Sequence, residues 1–415
     1  MGQRLRLARE AAGLTQRELS FDGCTAAYVS RIEAGARVPS LQILHEFGKR
    51  LGVTPEYLAT GRPAGDDVSS ELLEAEVALQ LGDDVHAAEL YETARADADS
   101  PAAQARVRLG LGRLALRRNE IAQGIDLLEQ AVRSRELAPG DASAAANALG
   151  RGYVMQNRYD EAFAIFERSL AEARSRGDHF DEVRFSVLLA NAYIDHGDYG
   201  RAHATLGEVL DLARQTVDPL LRASLYWSQS RAHLSQGEPD QAAEYARLAL
   251  ATLRASEQTL EAARLLQLLA FIENDRGHPE AALELVEEGE PIVAAAGQAT
   301  DAAMFTIERA RALSALGEGE RAVALLLGIV PRLNAAAPKD AARAYSAVAH
   351  IFRDQGDTAR ALELYELAVE QAPIPDRHVV AALTAMAEIH EEQGDGDLAL
   401  ELLKQALAVR AGTPA

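Results

Sequence analysis

The stretch Gln156-Asn157-Arg158-Tyr159-Asp160-Glu161-Ala162-Phe163-Ala164-Ile165 reads as the end of one helix, a tight turn and the start of another. Asn tolerates the left-handed backbone that closes a helix, and acidic residues just after it favour the next N-terminus. Apolar residues then follow the i, i+3, i+4 spacing of an amphipathic helix, and Ala162 is small enough to let a neighbouring helix approach closely. The same arrangement returns along the chain. Its marker residues are Gly82, Asn119, Asn157, Gly197, Gly237, Gly277, Gly317, Gly356 and Gly394, at intervals of 37 to 40 residues. A hairpin of this kind buries its apolar stripe only by stacking on its neighbours, so the spacing predicts an α-solenoid of about nine helical hairpins.

The third unit carries Leu149, Gly150, Tyr153, Asn157, Tyr159 and Ala162, and in this it resembles a tetratricopeptide repeat. It departs from that pattern at Ala146, where a Trp is common; the fifth unit has Tyr226 there, with Trp227 beside it. The resemblance covers about four-fifths of the chain. A period near 40 exceeds the family's usual length of about 34 and implies longer helices or loops. Such arrays bind many things or simply dimerise, so the fold alone names no ligand.

Composition narrows the setting. The 415 residues include one cysteine, which excludes an internal disulfide and suits a reducing, cytoplasmic compartment. No apolar run approaches the roughly 20 residues that span a bilayer, and the N-terminus lacks a signal-peptide core. The net charge of −21 argues against nucleic acid only if it is uniform, and it is not. Residues 1–62 carry nine basic and six acidic side chains, a net of +3, which leaves the remainder at −24. Two regions of opposite sign suggest two tasks.

The sequence divides into an N-terminal domain over 1–61, a linker over 62–69 and the array over 70–412. Five short helices are expected in the first domain, and the whole chain is expected to be all-α. Gly13 ends the first helix, and Thr15 opens the second with Glu18 in capping-box spacing. Gly23 makes a turn, Thr25 caps a third helix that runs to about Ala34, and Gly35 stops it. Ser40 caps the fourth, and Thr54-Pro55 opens the fifth.

The segments GLTQREL, YVSRIEAG, PSL and LGVTPEYLATG resemble the helix-turn-helix of the phage-repressor class, the Xre or Cro/C1 family. One departure is that Leu19–Gly23 is a residue shorter than usual, implying a tighter turn. With Val29 and Ile32 buried, helical geometry turns Ala26, Ala27, Ser30, Arg31 and Ala34 outward. The resemblance maps base contacts onto Ala26, Ala27 and Arg31. Alanine can only touch a thymine methyl, so Arg31 is the expected base reader, through forked bonds to guanine. Thr25 and Ser30 complete the expected DNA-binding set, and the resemblance gives phosphates to Gln16 and Arg37 and a partly buried ion pair to Arg9 and Glu33. Cys24 is expected as a buried filler.

Tetratricopeptide geometry implies a concave wall at positions 13, 10, 6, 3 and 2 before each turn marker. In the seven central repeats these positions hold ten arginines, Arg106, Arg113, Arg117, Arg151, Arg184, Arg231, Arg264, Arg311, Arg343 and Arg353, against Asp195, Asp275 and Asp354. Asn147, Asn191, Trp227, Gln267 and Asn274 join them, while Glu76, Glu388, Glu391 and Glu392 suggest end caps. Arg pairs bidentately with carboxylates and Asn with backbone amides, so one reading is a groove for a peptide or acidic small ligand. The other is that these arginines pair with acids on neighbouring helices.

Together the two parts resemble peptide-sensing quorum regulators of Gram-positive bacteria. The implied function is a homodimeric, sequence-specific transcriptional regulator on double-stranded DNA, whose effector alters array curvature and the spacing of its readers. Rivals are an interaction scaffold that uses the N-terminal unit for docking, and a constitutive repressor whose array only dimerises. No GxxxxGK[ST], HExxH or GxSxG occurs, and the scattered histidines, His196 and His203 included, read as solvated. Neither enzyme activity, cofactor, metal nor membrane contact is expected.

Overall fold

In a computed structural model of the chain, residues 1–21, 23–34, 39, 41–61, 70–215, 218–256, 258–333, 338–371 and 377–410 are described. The chain is all-α, with 24 helices and no strand among these residues. Two compact units partition it. One comprises Met1–Ala192, Arg201–Leu225 and Thr252–Thr259, the other Tyr193–Gly200, Tyr226–Ala251 and Leu260–Ala415.

The first unit opens with α1 (Gly2–Ala11), α2 (Gln16–Leu19), α3 (Ala26–Glu33), α4 (Leu41–Leu51) and α5 (Pro55–Thr60). Thr15 and Glu18 form the expected capping box around α2, with Thr15 accepting from the Glu18 N–H and Glu18 accepting from the Thr15 N–H. The backbone and hydroxyl bonds from Thr15 hold the Glu18 carboxyl below its usual range. Thr25 caps α3 and Thr54 caps α5, which starts with Pro55. Gly35 and Ser40, the expected stop and cap, lie outside the described residues, as does the expected linker over 62–69. The turn before α3 is tight: Phe21 and Cys24 exchange both backbone hydrogen bonds, at 3.0 and 2.8 Å, and Gly23 supplies the left-handed φ of 87°.

Leu5, Leu19, Cys24, Val29, Ile32, Leu44, Phe47, Leu58 and Ala59 form the core of this domain, each fully buried. Burial pushes the Cys24 thiol pKa up, so Cys24 serves as an apolar filler. Val77, from the first array helix α6 (Ser70–Leu81), belongs to the same core. The backbone N–H of Thr259 also donates to the Ala34 carbonyl at 3.2 Å, tying the end of α3 to segment 252–259 of the same unit. The domain is therefore packed onto its own unit of the array.

The array continues through α7 (Asp84–Ala96), α8 (Pro101–Arg117), α9 (Ile121–Arg133), α10 (Pro139–Met155), α11 (Tyr159–Arg176) and α12 (His179–His196). Nine hairpins follow one another among the described residues. All nine marker residues have positive φ, from 56° at Asn157 to 91° at Gly197. Helices of 17 or 18 residues such as α8, α10 and α11 account for the long period. Small residues set the spacing between helices. A Cβ at Gly150 would stand 2.3 Å from the Phe166 ring, so only glycine lets α10 and α11 meet there. The second unit has its own core, in which Tyr345, Phe352 and Tyr365 are the large, fully enclosed side chains. Among the described residues no helix is long and apolar enough to cross a membrane.

Candidate functional site

The α3 face follows its expected polarity at Ala27 and Arg31, and less so at its margins. Val29 and Ile32 are buried, Thr25, Ala27 and Arg31 are exposed, and Ala26, Ser30 and Ala34 sit half-buried at the margins. Ala27 and Arg31 stand one helical turn apart on the open side. Behind them, Arg9 grips Glu33 with two bonds, Nε to Oε1 at 2.6 Å and Nη2 to Oε2 at 2.9 Å. Gln16 joins this cluster rather than standing free: its Nε2 donates to Glu33 Oε2 at 2.9 Å. Its amide is thus engaged in bracing α2 against α3. Thr25 uses its hydroxyl to accept the Tyr28 N–H. Arg37, the other expected phosphate contact, lies outside the described residues.

The arginines of the array divide into two groups. In the first unit a cavity of about 480 Å³ is lined by Arg113, Asn147, Arg151 and Arg184 together with Glu76, Gln80, Tyr91, Arg117 and Met155. Five residues expected on the concave wall, Arg113, Arg117, Asn147, Arg151 and Arg184, are thereby brought together. Arg184 is bonded to Asp181 at 2.7 Å and to Ser143. Arg117 is bonded to Asp84 at 3.0 Å. Glu76, expected in an end cap, is 8% exposed and receives two bonds from Arg106 Nη2, at 2.8 and 2.9 Å. Arg151 is exposed, and no carboxylate among the described residues pairs with it. The Asn147 Oδ1 is buried and accepts no hydrogen bond among the described residues. Asn191 is half-buried outside this lining.

In the second unit Arg231, Arg264, Arg311 and Asn274 of the expected groove are engaged with acids. Arg231 meets Asp195 at 2.9 Å, and Arg264 meets Asp301 at 3.0 Å. Arg311 bridges Asp275 at 2.6 Å and Glu308 at 3.0 Å, while the Asn274 amide donates to Glu308 at 3.1 Å. Glu308 is 1% exposed, and desolvation holds its pKa above the usual carboxylate range despite the two donors. Trp227 and Gln267 are half-buried. Arg353 takes Glu388 and Glu392, two of the acids expected as a cap. The side chain of Arg343 lies outside the described set.

Of the acids that meet the array's arginines, Asp195, Asp275, Glu388 and Glu392 occupy wall positions, whereas others stand outside the five positions per repeat. Asp141, Asp181 and Asp301 each lie sixteen residues before their own marker. Their regular spacing was the signal available in the sequence.

Family models match in the same order as the architecture. A helix-turn-helix domain model covers residues 1–60. Tetratricopeptide repeat models cover 140–215 and 340–411, 187–258, and 303–327. No catalytic model is among them. No curated protein matches the sequence. Among solved structures the chain is similar to a Rap protein complexed with Competence and Sporulation Factor, at TM-score 0.59 and 14% identity over 89% of this chain and 98% of that one. It is also similar to the apo form of the quorum sensor NprR from B. thuringiensis, at TM-score 0.58 and 15% identity over 89% and 97%. A third is Aspartyl phosphate phosphatase F from Bacillus subtilis, at TM-score 0.56 and 14% identity over 90% and 94%. At these identities the likeness is one of fold. With the family models, it makes the chain an N-terminal helix-turn-helix domain followed by a solenoid of tetratricopeptide repeats.

Proposed function

We propose that the protein is a sequence-specific DNA-binding transcriptional regulator whose array dimerises it and senses a peptide or acidic effector in the cytoplasm. The observation that carries the reading is the open face of α3, where Ala27 and Arg31 stand clear on a helix held by a capped, tight turn. In this reading Arg31 forks onto a guanine, Ala26 and Ala27 meet thymine methyls, and Thr25, Ser30, Gln16 and Arg37 position the backbone. Two half-sites about one DNA turn apart require two copies of the reader, hence a homodimer. The quorum sensor among the structural neighbours supports a sensing role for the array.

Binding-site selection from random duplexes with the full chain tests this directly. A palindromic site is expected. Arg31→Ala should cost about 1–3 kcal/mol and relax the preference at one base pair per half-site. Selection without enrichment, or an unchanged preference in the variant, would reject the assignment. A second reading, the domain as a docking module, draws on the packing of Val77 into its core. Absence of salt-sensitive duplex binding would favour it.

A further inference from the structure

The end of α3 is held from a distant part of the chain. The last carbonyls of a helix have no donor within it. At α3 the Ala34 carbonyl accepts the backbone N–H of Thr259 at 3.2 Å, and both residues belong to the first unit. The start of α1 presses on the same end, for a Cβ at Gly2 would overlap the Ile32 and Glu33 carbonyls. Neither contact covers Ala27 or Arg31, which stay exposed.

The donor departs from the pattern of its repeat position. Eighteen residues before successive turn markers stand Pro101, Pro139, His179, Pro219, Thr259, Ala299 and Pro338. Each is the first residue of its helix. Proline suits that place because the first N–H of a helix has no partner within it. Four of the seven repeats thus carry no N–H there, whereas the repeat at Thr259 keeps it and directs it to Ala34. The Thr259 hydroxyl is buried and bonds to nothing among the described residues, so the contact runs through the backbone.

A second support lies one repeat earlier. Arg4 of α1 donates to the Leu58 carbonyl at 3.0 Å and to the Ala59 carbonyl, which ties α1 to the end of α5. Burial lowers the Arg4 pKa, and Tyr57 and Asp218 oppose that shift electrostatically. Asp218 precedes the helix Pro219–Ser235 and accepts the Leu221 N–H at 3.0 Å. With Val77 in the core of the N-terminal domain, three separate parts of the array bear on that domain.

We infer that Thr259 is a positioning residue for DNA recognition: its N–H fixes the end of α3 to the array, so that the array sets the distance and phase between the two readers of a dimer. The inference rests on the proposed DNA-binding reading and adds the residue through which half-site spacing is imposed.

Thr259→Pro tests it, because the helix then starts as four of its equivalents do and only the donor is lost. Thr259→Val keeps the N–H and discards the hydroxyl, and serves as the conservative variant. Duplexes carrying the half-sites selected by the full chain are made with spacers changed by one and two base pairs. Each added pair turns one half-site by about 34–36° about the axis. The full-length wild type and Thr259→Val should prefer one spacer. In Thr259→Pro that preference should fall about 3- to 10-fold, the scale of one hydrogen bond. Its half-site sequence preference and helical circular dichroism should not change. Amide exchange by NMR reads the contact without DNA: a first-turn N–H with no acceptor exchanges quickly, and that of Thr259 should be slow.

An unchanged spacer profile in Thr259→Pro, or fast exchange at Thr259, would overturn the positioning role and leave DNA recognition standing. An equal change in Thr259→Val would also overturn it, since the donor is intact there. Loss of half-site preference in the proline variant would assign Thr259 to the fold instead. Absence of duplex binding by the wild type would overturn this role and the DNA-binding reading together.

Discussion

The wall of the array differs between its early and later repeats, although both are built from the same hairpin. At Arg231 and Arg311 the arginine lies against an aspartate of the preceding repeat. At Arg113 and Arg151 the same geometry offers Gln80 and Arg117. An identical scaffold thus yields an arginine met by an aspartate in one place and, at Arg151, an exposed arginine with no carboxylate partner among the described residues in the other. The difference teaches that an arginine count along a repeat protein measures binding capacity only after the acids in register have been subtracted. Exposed ion pairs contribute little to stability, whereas an uncompensated buried charge is costly.

That contrast is sharpest at Arg311. Replacing it with Ala leaves the buried Glu308 facing only Asn274, and should destabilise the fold by about 3–5 kcal/mol in denaturant unfolding. The loss should depend on pH with a definite sign. Glu308 already has a raised pKa in the folded protein, and losing Arg311 raises it further. Stability is then retained at acid pH, where the carboxyl is protonated in both states. It falls as pH rises through the normal carboxylate range towards the folded value. A pH-independent loss would show that Glu308 is not the group responsible.

Asp195→Asn breaks a rung that is only partly buried, with both side chains about one-quarter exposed. A loss of roughly 0.5–1 kcal/mol is expected, read as a small shift in the urea midpoint. A cost equal to that at Arg311 would mean that the two rungs share one cooperative network. The smallest effect belongs to Arg151→Ala. With no acid partner to strand, it should change stability by less than about 0.5 kcal/mol, and a larger loss would show that the side chain bears on the fold.

Much of this was legible beforehand. The nine turn markers are set by the local demand for left-handed backbone, which Gly and Asn meet at least cost, and all nine adopt it. The Thr15–Glu18 capping box and the inward stripe of Val29 and Ile32 are likewise short-range matters, settled within one or two helical turns. The electrostatics of the wall depend on partners far apart in the chain. Glu76, expected in an end cap, is buried against Arg106, a partner 30 residues away. The bond from the Gln16 amide to Glu33, 17 residues distant, likewise follows from no local pattern.

By itself, then, the sequence determined the helix-turn-helix order, the repeat period, the number of hairpins and the face that α3 turns outward. These follow from backbone preferences and from apolar periodicity, which act over a few residues. Tertiary structure alone decided which arginines are neutralised, that Val77 completes the N-terminal core, and that the Thr259 N–H reaches the Ala34 carbonyl. Each of these depends on groups brought within a few ångströms from distant parts of the chain, where distance and burial, more than residue type, set the energy.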